Sequence, residues 1–147
     1  MFQRRVVSLL AIAAILAVVS LGSARVEAST AARPLKGDFA GSGFSFQGEL
    51  THLGKFTGQI TSFTPSPTGG TTTAVWTAAN GDTVNVTSVF TVTGPGTTTG
   101  YVAFQQVITI NSGTGRFTGA TGSATAIGET KLDFSDYFGT INGTIGY

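Results

Sequence analysis

Residues 72–92 read Thr-Thr-Ala-Val-Trp-Thr-Ala-Ala-Asn-Gly-Asp-Thr-Val-Asn-Val-Thr-Ser-Val-Phe-Thr-Val. Before the Asn80-Gly81 pair, Thr72, Ala74 and Trp76 fall on one parity. After it, Val84, Val86, Phe90 and Val92 do the same. Period-two alternation is the mark of a strand with one face buried. Asn-Gly is a turn signal, because both residues tolerate positive φ. The stretch therefore predicts two antiparallel strands joined by a tight turn, and it sets the fold class as all-β.

The same alternation extends in both directions. A strand is expected over 55–63, ended by Pro65-Ser66-Pro67 and Gly69-Gly70. Upstream, residues 39–50 read as one strand region, with Phe44, Phe46, Gly48 and Leu50 in phase. Downstream, Gly94-Pro95-Gly96 marks a turn, and Val102, Phe104, Ile108 and Ile110 line one face. Gln106 shares their parity, which implies a bulge or a polar group facing in. A turn at 111–115, a short element from Arg116-Phe117 and strands near 120–129, 130–134 and 138–147 complete the chain. No 12-residue window carries an apolar stripe at helical spacing. Thr, Val, Ile, Phe and Tyr favour pleated strands.

Seven to eight strands with short links need a closed or two-layered arrangement, since a lone sheet leaves two open edges and one bare face. A small antiparallel barrel is expected, with a sandwich as the other solution. Glycines at strand positions allow the tight coiling that a small barrel demands.

The first 28 residues differ in kind. Arg4 and Arg5 precede an apolar run over 6–21, and Val26-Glu27-Ala28 offers a small-residue cleavage point. This is the pattern of a secretory signal peptide. The run is shorter than the roughly 20 residues of a membrane span. The expected organisation is a signal peptide over 1–28, a short N-terminal extension over 29–36 and an antiparallel β-barrel over 37–147. The destination is extracytoplasmic, secreted or periplasmic, with no stable membrane anchor after cleavage.

Charge is sparse. The 147 residues hold 8 basic and 7 acidic side chains, a net charge of +1. Arg4, Arg5, Arg25 and Glu27 leave with the peptide, so 5 basic and 6 acidic residues remain, a net charge of −1. No basic surface for nucleic acid is left. With no Cys, disulfides and thiolate metal sites are excluded. The lone His52 cannot build a multi-histidine metal centre. Neither a metal nor a cofactor is expected.

One segment carries a family resemblance. Ile110-Asn111-Ser112-Gly113-Thr114-Gly115-Arg116-Phe117-Thr118-Gly119-Ala120-Thr121-Gly122 resembles the glycine-rich turn of the allene oxide cyclase and dirigent-like barrel superfamily. His52-Leu53-Gly54-Lys55-Phe56-Thr57-Gly58, Asn80-Gly81-Asp82-Thr83 and Gly139-Thr140-Ile141-Asn142-Gly143-Thr144-Ile145 resemble pieces of secreted bacterial barrels of this kind. The resemblance spans 36–147 and implies an antiparallel barrel that holds an apolar substrate beside a few polar groups. The cysteine of the plant cyclase pocket has no counterpart, and no catalytic carboxylate carries over. Read from the residues alone, Gly113, Thr114, Gly115, Phe117 and Gly119 form a structural turn. Gly113 and Gly115 supply unusual backbone angles, Thr114 a local hydrogen bond and Phe117 a core anchor.

Among polar groups, His52 with Glu49 is the candidate catalytic pair. Asp133 and Asp136 flank Phe134, and Glu129 with Lys131 reads as a surface ion pair. Phe44, Phe46, Phe90, Phe104 and Gln106 are the candidate ligand-binding residues, provided the barrel is hollow and not filled. Three roles stay open: a structural or small apolar ligand-binding barrel, an isomerase or cyclase acting on an apolar substrate, and a small outer-membrane barrel. A homo-oligomer is compatible with each.

Overall fold

The computed structural model describes residues 31–147. The signal peptide over 1–28 and the cleavage site before Ser29 lie outside the described residues. Eight strands form one closed antiparallel barrel in sequential order. They are β1 (Arg33–Ser42), β2 (Ser45–Leu50), β3 (Gly54–Ser66), β4 (Gly69–Ala78), β5 (Thr83–Pro95), β6 (Val102–Gly113), β7 (Thr121–Thr130) and β8 (Tyr137–Gly146). β8 returns to β1 with Gly37 opposite Ile141 and Phe39 opposite Gly139, so no edge is left open.

Three expectations are corrected in detail. The barrel begins at Arg33, not at residue 37, because Leu35 pairs with Gly143 and is fully buried. The region 39–50 is a hairpin, with Ser42 opposite Ser45 across Gly43 and Phe44. Residues 131–136 form a loop instead of a strand continuing from Thr130.

Alternation sets inside from outside. In β4 every second residue is buried, so Thr72, Ala74, Trp76 and Ala78 face in while Thr71, Thr73, Val75 and Thr77 face out. β5 repeats this with Val84, Val86, Ser88 and Phe90 inside. The pairing slips at Ile60/Ser62, Asn85/Val86 and Val92/Gly94. Such bulges bend strands and raise local twist, as closure of a narrow barrel requires.

The two ends differ. At one end lie both ends of the described chain and the turns after β2, β4 and β6. Leu35, Leu50, Val84, Phe117 and Ile145 fill it and are almost wholly shielded from solvent. The glycine-rich turn is part of this plug. A one-turn 3₁₀ helix, Gly115–Phe117, drives Phe117 under the barrel and against the Tyr147 ring, 4.9 Å between centroids. Gly115 has φ +58°, and a Cβ there would also meet the Asp82 carboxylate. Gly113 is different from the expectation. Its φ is not positive, and it is small because Phe117 and the Thr83 carbonyl press against it. Thr114 bonds across strands instead of locally: the Thr83 N–H donates to its Oγ1 at 3.0 Å. Gly119, at φ +75°, turns the chain into β7.

Candidate functional site

The opposite end is hollow. A cavity of about 210 Å³ opens between the β1–β2 turn, the end of β3 and the 131–136 loop. An eight-stranded barrel is just wide enough for side chains to fill it or for one small ligand. Here aromatic rings define the walls. Phe90 and Phe104 meet at 5.1 Å between centroids, Phe39 and Phe104 at 6.4 Å, Phe39 and Phe46 at 6.3 Å. Trp76 lines the cavity and packs on Phe56, 5.7 Å between centroids. Gly58 lets the Phe46 ring lie across β3, since a Cβ there would sit 2.1 Å from it. Phe39 and Phe46 meet edge to face and the other pairs are tilted, the non-stacked arrangements that aromatic pairs favour.

Phe134 stands at the mouth, 5.7 Å from both Phe63 and Phe90. Its loop folds back by hydrogen bonds from the Phe134 N–H to the Lys131 carbonyl (2.9 Å) and from the Gly43 N–H to the Phe134 carbonyl (2.8 Å).

Polar groups in the wall are few. Thr72 and Ser88 are directly opposed on β4 and β5, and their hydroxyls are 2.5 Å apart. Gln106 lies one step along on β6, opposite Phe90, and its Nε2 donates to Ser88 Oγ at 2.5 Å. Across the cavity, the Tyr137 hydroxyl donates to the Gly43 and Ser45 carbonyls at 3.2 and 3.1 Å. Burial pushes that hydroxyl up to about 12. Asp133 sits at the rim, where hydrogen bonds from Ser135 hold its carboxyl below the usual range.

The structure brings Phe46, Phe90, Phe104 and Gln106 together in this wall, and Phe44 at its rim, 58% exposed. Gln106 is a polar group facing in. His52 and Glu49 are not brought to the cavity. His52 occupies the turn after β2 with φ +71°, at the plugged end, its ring 6.3 Å from Tyr147. Glu49 points outward from β2, paired in register with Asp38 and Lys55. Asp133 and Asp136 are engaged separately: the Ser135 N–H donates to the first, and the Tyr101 hydroxyl to the second. Glu129 makes no pair with Lys131. It receives the Thr97 N–H and hydroxyl at 2.5 and 2.6 Å and the Thr98 N–H at 3.0 Å. Among the described residues no three His, Cys, Asp or Glu side chains are grouped to hold a metal ion.

Sequence reasoning missed Thr72, Ser88, Tyr137 and Phe134 as cavity residues. Ser88 carried a signal, since it interrupts the apolar parity of Val84, Val86 and Phe90 as Gln106 interrupts β6. Phe134 carried none, because a loop has no periodicity. Compared with known family models, curated proteins and solved structures, the chain matches none.

Proposed function

We propose that the chain is an extracytoplasmic barrel that binds one small apolar molecule in its interior. The observation that carries this reading is the aromatic-walled cavity of about 210 Å³, open at one end and plugged at the other. A pocket of this kind, apolar with a few convergent polar groups, is the usual form of a small-molecule site. A filled interior would gain packing contacts that this open space forgoes, which supports a binding role.

The binding reading is favoured over an isomerase or cyclase. General acid–base work at neutral pH needs a group that titrates near neutrality within reach of the substrate. The shifts found in the cavity lead the other way, Tyr137 up and Asp133 down. The outer face speaks against a lipid-embedded barrel, which needs outward apolar bands. Val89, Val107, Ile127 and Phe138 are the exposed large apolar side chains of β5 to β8, scattered among outward Thr and Asn such as Thr87, Thr109, Thr140, Asn142 and Thr144, and Thr dominates β4. The eight-stranded closure and the Gly113–Phe117 turn are compatible with kinship to allene oxide cyclase and dirigent-like barrels. The extracytoplasmic destination rests on the 1–28 sequence, and intact mass of the exported protein tests it: Ser29 is the expected first residue.

Trp76 is the one Trp of the chain and lines the cavity, so it reports binding directly. Bromobenzene is expected to quench Trp76 fluorescence saturably. Ala74→Phe, which fills the space beside Trp76, should abolish the saturable part while leaving the β spectrum intact. Quenching that is linear in bromobenzene, and equal in both proteins, would contradict the reading.

A further inference from the structure

We propose that the cavity selects a neutral, compact ligand of one or two rings bearing a single hydroxyl group, which docks on Ser88 and Gln106. The inference rests on the binding reading above and adds the chemistry of the ligand. Size comes first. A dry protein cavity of about 150 Å³ accommodates benzene. A space of about 210 Å³ therefore suits one ring with a substituent or two small fused rings, and excludes long chains and polycycles.

Charge comes second. Thr72, Ser88, Gln106, Thr130 and Tyr137 are the uncharged polar residues of the lining, and Asp133 is its one charged residue. Among the described residues no Lys, Arg or His lines the cavity, so a buried carboxylate or phosphate would meet no counter-charge. Burial of an unpaired ion is too costly to tolerate. A neutral ligand follows.

The hydroxyl follows from the hydrogen bonds left over. Between Thr72 and Ser88 a single 2.5 Å contact uses one of two hydroxyl protons, whichever residue donates. Gln106 spends one end of its carboxamide on Ser88. The other end has no partner among the described residues. Tyr137 is already committed to the Gly43 and Ser45 carbonyls. The three residues thus offer donor and acceptor capacity side by side, on one wall of an otherwise apolar space. A hydroxyl, which both donates and accepts, matches that pair. The barrel itself has no need of these groups. Exchanging a buried hydrogen-bonded set for apolar residues of the same shape is close to neutral for stability.

Calorimetric titration of the purified protein with indane, 2-indanol and indane-2-carboxylate tests this. These probes share one frame and differ in a single substituent. The proposal expects 2-indanol to bind at least as tightly as indane, and the carboxylate not to bind. In the double variant Ser88→Ala, Gln106→Met the affinity for 2-indanol should fall about tenfold or more, since its hydroxyl loses both of its docking partners. The ratio of 2-indanol to indane affinity should fall by the same factor, which separates loss of the hydroxyl's partners from any change in the wall they share. If the double variant does not fold, Gln106→Met alone carries the same comparison. Indane binding with 2-indanol weaker, and both indifferent to the substitutions, would overturn the hydroxyl assignment while keeping the binding reading. Carboxylate binding would overturn neutrality. Failure of all three probes would remove the binding reading and this inference with it.

Discussion

Phe134 holds a backbone conformation that side chains disfavour, φ +56°. A residue with a Cβ gives up about 1 kcal/mol or more to stay there. The cost is offset by its ring, which bridges Phe63 and Phe90, and by the two backbone hydrogen bonds of its loop. Phe134→Ala loses the ring and keeps the strain. Phe134→Gly loses the ring and removes the strain. Urea denaturation should therefore rank Phe134→Gly above Phe134→Ala in stability by about 0.5–1 kcal/mol, the reverse of the usual order of these residues. At the other end, Gly115→Val should cost about 1 kcal/mol or more from its angle alone. It must also displace Asp82, which accepts from Asn80 Nδ2 at 2.8 Å and from the Arg116 N–H at 3.2 Å. Thr114→Ala should cost less, about 1 kcal/mol at most, since it removes the bonds to Thr83 and strains nothing. Denaturation midpoints of the two variants in the opposite order would refute this account of the turn.

At the scale of elements, strands read well and turns unevenly. Asn80-Gly81 announced itself, and Gly81 takes φ +90°. The β1–β2 turn did not, because Phe44 lies in the turn yet keeps the parity of Phe46 and Leu50. The available mark was Phe39, buried on the opposite parity. A two-residue turn exchanges parity between its strands, so Phe39 and Phe46 can face in together only if the chain turns between them. The turn signal Gly94-Pro95-Gly96 falls at the end of β5, which runs to Pro95, and the loop that follows is fastened to the outside of the barrel by Glu129 and by Tyr101 bonded to Asp136. That fastening titrates. Hydrogen bonds from Thr97 and then Thr98 lower the Glu129 carboxyl from the ordinary 4.5 to about 2, against a smaller opposing effect of burial. A carboxyl lowered by folding stabilises fully above its unfolded value and loses that contribution as pH falls through the folded one. Stability should decline between about pH 4.5 and 2, and Glu129→Gln should flatten that decline. Urea midpoints across this range are the check, and identical slopes in both proteins would refute the role of Glu129.

The whole molecule has a filled half and a hollow half, and this division was not legible in the sequence. Alternation tells which residues face in. It does not tell how far facing rings reach across the barrel, which depends on register, bulges and closure. Phe46, Phe90 and Phe104 were legible as inward residues, and Gln106 as an inward polar one. Their gathering around a space, and the addition of Ser88 and Tyr137, follow from pairing around the closed barrel. His52 and Glu49 attracted notice as chemically able residues, but chemistry without placement is no site: one lies at the plugged end and the other outside. On the proposed function, a small apolar molecule enters the hollow half of the barrel and no other place. Titrating indane into isotopically labelled protein, followed by methyl and aromatic NMR signals, tests it most directly. Saturable shifts are expected at Ile60, Trp76, Phe90, Phe104 and Ile108, with Leu35, Val84, Phe117 and Ile145 unmoved. Shifts that do not saturate, or that appear at the plugged end or on the outer face alone, would contradict it.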